Sequence, residues 1–296
     1  MSQAIIPTDN IDISEPSSAA RSRAGSPFDP DAVSVMVGHV ADMAVDKAAH
    51  PAALLVRSLV AGVMVAFGVL LSLVVSTGVT IPGVASLLMG LAFGMSFVLI
   101  LVSGMSLITA DMAAGALAVM QRRMGALAYA RLLVIGLVGN VLGAFGFTVV
   151  CAAAGGPYLG ALARHGATIG AAKAGQGPVT AILLAILCTW FLQSAMCMFF
   201  LARSDGTRMA FAFYGPFAFV IGGTQHVIAN VGFLGLPLLL AAFHSVPISG
   251  ITWGFGGHGL LANLCVTAVG NLIGGTVLVA LPFQVIAWLQ KRDAIR

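Results

Sequence analysis

Apolar and polar positions divide the chain into a polar opening stretch, one short amphipathic segment and six long apolar runs. The runs cover roughly 52–76, 83–121, 127–153, 179–202, 208–239 and 259–289. A membrane-crossing helix needs about 20 apolar residues to span the hydrocarbon core. Four runs fit one crossing each. The second and fifth are too long for one plain crossing and turn polar midway. In the second the interruption reads Ser103-Gly104-Met105-Ser106-Leu107-Ile108-Thr109-Ala110-Asp111. In the fifth it reads Ile221-Gly222-Gly223-Thr224-Gln225-His226-Val227-Ile228-Ala229-Asn230. Non-helical backbone is tolerated at membrane depth only where it is buried in protein or lines a watery cavity. The pattern therefore predicts two broken helices around a pore or transport site. His226, an ionisable ring at that depth, is a functional candidate by default.

Ahead of the runs, residues 1–28 are rich in Ser, Pro, Ala and Asp and are expected to form a disordered cytoplasmic tail. Residues 29–48 predict an amphipathic helix, with Asp29 as N-cap and Pro30 at the first helical position. Val33, Met36, Val37, Val40, Met43 and Ala44 recur at helical spacing, while Asp31, Ser34, Asp42 and Asp46 fall off that face. Such a helix lies in the membrane interface or packs under the bundle. Residues 49–290 then form a six-helix transmembrane channel domain, and 291–296 a short cytoplasmic tail.

Composition agrees with this reading. Apolar residues make up 59% of the chain and charged residues 8%, against about 25% charged in soluble domains. The mean hydropathy is +1.03. This excludes a soluble enzyme or a nucleic-acid-binding module, and the formal charge of +4 sits in short inter-helix segments. Cys151, Cys188, Cys197 and Cys265 lie in apolar stretches without metal-ligand spacing and read as packing residues. No cofactor or metal is expected. A basic segment followed by an apolar one is missing from the N-terminal stretch, so no cleaved signal peptide is expected. Lys47, Arg122, Arg123, Arg131, Arg203, Arg208, Lys291, Arg292 and Arg296 mark one side of the membrane. The other side has Arg164 and Lys173. The positive-inside rule then predicts a multi-pass protein of the inner (plasma) membrane with both termini cytoplasmic.

The chain also repeats itself. The third run contains Gly139-Asn140-Val141-Leu142-Gly143-Ala144 and the sixth Gly270-Asn271-Leu272-Ile273-Gly274-Gly275. Each closes a set of three runs whose middle member is broken. Three crossings per set is an odd number, so the sets are expected to be inverted repeats, with a site near the midplane. The small-xxx-small spacing serves helix packing. The asparagines can additionally satisfy backbone freed at the breaks.

Gly104-x-x-Leu107-x-Thr109, Gly223-Thr224-Gln225-His226-Val227-Ile228-Ala229-Asn230, and Asn263-Leu264 with Thr267, Gly270 and Asn271 together resemble the motifs of the formate/nitrite transporter family, over most of residues 45–290. The resemblance implies an all-α integral membrane protein with an aquaporin-like fold. It also implies a homopentamer with one path per protomer for a small monovalent anion, and no enzymatic activity. By position, His226 matches the family's central histidine, Thr109 the threonine facing it, and Lys173 the lysine of the outer vestibule. Phe93, Phe97, Leu107, Ile108, Leu192 and Phe219 match the apolar residues that narrow the path. Asn230, Gln225, Thr189 and Asp111 complete the expected substrate pathway. The chain departs from the family pattern at Gln225, where a glutamate is usual, and at Thr189, where an asparagine is usual. It departs again at Thr224 for Phe, at Val266 for Pro, and at Asp111 for a small or amide residue.

Several of these residues also have plainer readings. The phenylalanines can be core, Lys173 a solvated loop charge, and Asp111 a cap on the half-helix that begins there. Formate, nitrite and hydrosulfide remain open as cargo, with proton coupling through His226 as a further expectation. Ser106 and His226 raise a remote alternative, an intramembrane serine protease. A water or glycerol channel would show paired Asn-Pro-Ala motifs, which the sequence lacks.

Overall fold

The computed structural model describes residues 31–293. The expected tail at 1–28, the Asp29 cap, Pro30 and the last three residues lie outside the described residues. Among those described the chain is helical, with an isolated β-bridge between Thr252 and Gly259. In chain order the helices are α1 (Ala32–Ala49), α2 (Pro51–Ser76), α3 (Pro82–Val102), α4 (Ile108–Met120), α5 (Ala126–Ala154) and α6 (Ala161–Ala174). They continue as α7 (Pro178–Leu201), α8 (Asp205–Ile221), α9 (Val227–His244), α10 (Leu260–Ile273) and α11 (Leu281–Asp293). A π-helical stretch, Gly274–Ala280, joins the last two, so that Leu260–Arg292 runs as one apolar rod.

Six of these segments are long and apolar enough to cross a membrane: α2, α3, α5, α7, α9 and the final rod. The predicted second run is α3 plus the short α4, and the fifth is the short α8 plus α9. The π stretch was not expected in the sixth. It opens on a glycine pair, Gly274-Gly275, and the Thr276 hydroxyl donates back to the Leu272 carbonyl, a local competitor of the regular helix ladder.

Both breaks are built the same way. Each first half-helix ends on a glycine in the left-handed region, Gly104 at φ 68° and Gly223 at φ 63°, where a Cβ would be strained. In each, the next residue's N–H reaches back five positions, Met105 to the Ile100 carbonyl and Thr224 to the Phe219 carbonyl. This is the Schellman termination of a helix. An asparagine then plugs the gap. Asn140 accepts from the Ile108 N–H at 2.7 Å and donates to the Ser58 and Ser106 carbonyls. Asn271 accepts from the Val227 N–H at 3.0 Å and donates to the Ala185 and Gln225 carbonyls. Each side chain satisfies three backbone groups that the break would otherwise strand in a membrane interior.

The glycines of the same two motifs bring backbones together. A Cβ on Gly143 would overlap the Leu59 carbonyl of α2, and one on Gly274 would meet the Ile186 carbonyl of α7. The paired motifs therefore do both things considered for them: they dock helices closely and they cap the breaks.

α1 packs under the bundle rather than standing apart. Met36, Val37, Val40, Ala41 and Ala44 are buried in one cluster with Ala113, Leu117 and Ala118 of α4. Its start carries no side-chain cap, and the Ser34 hydroxyl bonds to the Asp31 carbonyl.

Candidate functional site

The two breaks meet at Thr109 and His226. Thr109 is the second residue of α4, and His226 is the N-cap of α9. Thr109 Oγ1 lies 3.1 Å from His226 Nε2, and both side chains are buried. His226 Nδ1 accepts from the Ala229 N–H at 3.2 Å. A ring nitrogen that accepts carries no proton, so the neutral ring bears its hydrogen on Nε2 and points it at Thr109. The histidine is both the helix cap and a donor to the threonine hydroxyl.

Three phenylalanines wall this pair. Phe219 stacks on the His226 ring, with centroids 5.3 Å apart and planes 9° apart. Phe97 meets the same ring edge-on at 6.2 Å, and Phe93 packs against both phenylalanines. Phe93 and Ile108 line neither of the two cavities described next; Ile108 faces Gly136 of α5.

One cavity, of about 180 Å³, lies on the α6 side. His226, Phe219, Thr224 and Lys173 line it. The half-buried Lys173 ammonium donates to the Thr224 carbonyl at 2.9 Å and sits 5.1 Å from the centre of the Phe233 ring. Burial pushes its pKa down to about 8. Its backbone carbonyl accepts from Gln225 and from Asn263. Gln225 also accepts from Asn230 at 2.6 Å, and Asn230 donates to Asn263 as well. Gln225, Asn230 and Asn263 thus form an amide network that fixes the loop carrying His226. Neither Gln225 nor Asn230 lines that cavity.

The second cavity, of about 120 Å³, opens on the α1 side and is lined by Phe97, Leu107, Leu192, Gln193, Asp111 and Lys47, among others. Asp111 does not cap α4. It is the helix's fourth residue, and the Ile108 N–H is already taken by Asn140. Its carboxylate instead receives Lys47 Nζ at 2.6 Å and the Ser106 hydroxyl at 2.5 Å. This also removes the protease alternative, because Ser106 is bound to Asp111 while His226 is bound to Thr109. Thr189 is fully buried, its hydroxyl has no partner, and it lines neither cavity.

Lys47 and Gln193 were not singled out from the sequence as site residues. Lys47 had a readable signal: it continues the apolar stripe of α1, seven residues after Val40. Between it and Asp205 the sequence holds a single acid, Asp111. Gln193 is one amide in an apolar helix, and nothing in its spacing marks it.

Comparison with known proteins bears on this arrangement. The profile of the Formate/nitrite transporter family matches residues 34–285. The chain is 31% identical over 193 residues to the Formate-nitrite transporter of Plasmodium knowlesi, covering 62% of this chain and 58% of that protein. It spans a little over half the length of the Plasmodium relatives. It is 30% identical to the Probable formate transporter of Methanothermobacter thermautotrophicus over 76% of this chain and 85% of that one. Among solved structures, an FNT family ion channel superposes with a TM-score of 0.73 at 21% identity, covering 86% of this chain and 98% of that one. A pentameric formate channel with formate bound superposes with a TM-score of 0.68 at 22% identity, over 80% and 98%. With two broken helices meeting between two cavities, and a profile match along nearly its whole described length, the chain belongs to the formate/nitrite transporter family.

Proposed function

We propose that the protein conducts small monovalent anions of weak acids, formate or nitrite among them, along a path from the α6-side cavity to the α1-side cavity past Thr109 and His226. The carrying observation is the placement of two cavities on either side of one histidine–threonine pair sealed by phenylalanines. A bare anion in that constriction loses its hydration, at a cost of many kcal/mol. Protonating an acid of pKa near 4 at pH 7 costs about 4 kcal/mol, at about 1.4 kcal/mol per pH unit. The neutral acid is therefore the form that crosses Phe93, Phe97 and Phe219.

Lys173 concentrates anions in its cavity, and the Nε2 hydrogen of His226 holds the Thr109 hydroxyl so that it can donate to the passing acid. His226 serves here as a donor of a hydrogen bond rather than of its proton. Protonating Nδ1 would set it against the Ala229 N–H. Proton coupling then reflects the acid's own protonation in the cavity water.

The same path admits hydrosulfide as its neutral acid, the competing cargo. The distribution of basic residues supports α1 and both termini facing the cytoplasm, with residues 49–290 as the channel domain formed by two inverted halves. The matching contacts of Asn140 and Asn271 support that inversion. By analogy with the pentameric formate channel, the chain forms a homopentamer with one path per protomer.

The test is labelled formate uptake into proteoliposomes by the wild type and His226→Asn between pH 5 and 8. Asparagine can still accept from the Ala229 N–H, so the cap survives while the Nε2 donor is lost. Uptake that rises toward pH 5 and falls at least tenfold in the variant is expected. Equal uptake by both proteins would remove His226 from the path.

A further inference from the structure

Gln193 lies on α7, one residue past Leu192, and its side chain lines the α1-side cavity. The residue is 0% exposed, yet neither its amide nitrogen nor its amide oxygen has a hydrogen-bond partner. A buried polar group without a partner is costly and rare in folded proteins. The other polar side chains of that wall are engaged. Asp111 takes Lys47 and Ser106, and the Lys47 ammonium is bound to Asp111. The primary amide thus stands in an apolar stretch of wall beside Phe97 and Leu192, with a donor and an acceptor both unclaimed by the protein.

We infer that Gln193 is a specificity-determining contact for the undissociated acid, and that it favours a small monocarboxylic acid over hydrosulfide. The inference rests on the conduction of neutral weak acids proposed above. A carboxamide presents N–H and C=O along one planar edge. The edge O=C–O–H of a neutral carboxylic acid is its complement, so two parallel hydrogen bonds close a ring. The acid's carbonyl accepts from Nε2–H, and its hydroxyl donates to Oε1. A carboxylate has no hydrogen to donate, so its second oxygen would face Oε1 as acceptor against acceptor. The amide therefore selects the protonation state as well as the molecule. Hydrogen sulfide can meet the same edge only through a weakly accepting sulfur and a weak S–H donor, so it gains far less from the amide than the oxyacid does. Nitrous acid shares the O=X–O–H edge, so the chemistry at Gln193 is that of a planar neutral oxyacid. Because both amide atoms are unpartnered, the acid takes them without breaking an internal hydrogen bond.

The experiment measures flux of formate, nitrite and hydrosulfide, each alone, at pH 6 in proteoliposomes of wild type and Gln193→Leu. Thermal melting of both purified proteins is followed in parallel. Leucine keeps most of the side-chain volume and removes both amide atoms. Expected are a formate flux at least tenfold lower, a hydrosulfide flux within twofold of wild type, and a melting temperature no lower than wild type. A nitrite flux that falls with formate means that the contact reads the oxyacid edge. A nitrite flux that holds means that it reads the carboxyl group itself. Equal losses for formate and hydrosulfide, unchanged formate flux, or a clear drop in melting temperature would each overturn the inference. The last would mean that the amide has a structural partner after all. A wild type that moves none of the three solutes would instead sink the conduction reading beneath it.

Discussion

Removing Lys47 should destabilise the protein far more than an ordinary lysine change near a helix end. Lys47 is 12% exposed at its side chain and Asp111 is 0% exposed, 2.6 Å apart. Removing one member of a buried pair leaves an uncompensated charge and costs about 3–5 kcal/mol, whereas an exposed pair is worth about 0–1 kcal/mol. In Lys47→Met the Asp111 carboxylate keeps the Ser106 hydroxyl as its sole remaining side-chain donor among the described contacts. Releasing α1 to let water reach the charge is no escape. Met36, Val37 and Val40 would be exposed with it, at about 1.5–3 kcal/mol each, which exceeds the gain. Asp111→Asn should be damaging too, since the Lys47 ammonium then loses its counter-charge. The pair Lys47→Met with Asp111→Asn removes both charges while the asparagine oxygen still accepts from Ser106, and it should recover most of the loss. Denaturant unfolding in lipid micelles of wild type, both single variants and the double variant closes the cycle. Single losses under about 1 kcal/mol that simply add in the double variant would refute the reasoning, because they describe a solvated pair.

Three further outcomes follow from the same geometry. Asn271→Leu strands the Val227 N–H and the Ala185 and Gln225 carbonyls, at roughly 1–3 kcal/mol for each orphan, and should lower the melting temperature about as much as Asn140→Leu does; a tolerated change at either position would show that water reaches the break. Lys173, with a pKa pushed down to about 8, is charged below that pH and neutral above it. The apparent KM for an anion offered on the α6 side should therefore rise as pH passes through about 8 at constant concentration of the anion, and this step should vanish in Lys173→Met. Phe219→Ala removes the ring stacked on His226 and should raise the flux of larger monocarboxylates relative to formate, read as a ratio in proteoliposomes.

The apolar period made the six crossings readable, and the two polar interruptions located the breaks to within a few residues. Both rest on the strongest constraint in a bilayer, that backbone must be satisfied internally. The meeting of Thr109 with His226 was readable only through resemblance, because no spacing in one dimension pairs residues 117 positions apart. Asp111 was misread for a related reason. An acid near a helix start suits the helix dipole, and that local reading competes with a partner 64 residues away on α1. Asn140 and Asn271 were foreseen in kind, since a polar amide facing a break has little else to do. Gln193 gave no signal because an amide inside an apolar helix looks the same in sequence whether it is tied or free. The distinction is one of three-dimensional contacts alone.

The two lysines differ in one respect that bears on rectification. Lys47 and Lys173 each sit just before the first long helix of their half, and each reaches toward a broken segment. Lys47 ends on a carboxylate, so its charge is cancelled within its own cavity wall. Lys173 ends on a neutral carbonyl, so its charge is left uncompensated at the other mouth. The two cavities thus hold unequal electrostatic potential. On the proposed path, under equal concentrations on both sides, anions should arrive faster at the α6-side cavity than at the α1-side cavity, while the equilibrium distribution across the membrane is untouched. Ionic strength should weaken that kinetic bias, because salt screens the unpaired Lys173 charge more than it changes a pair that is already neutral.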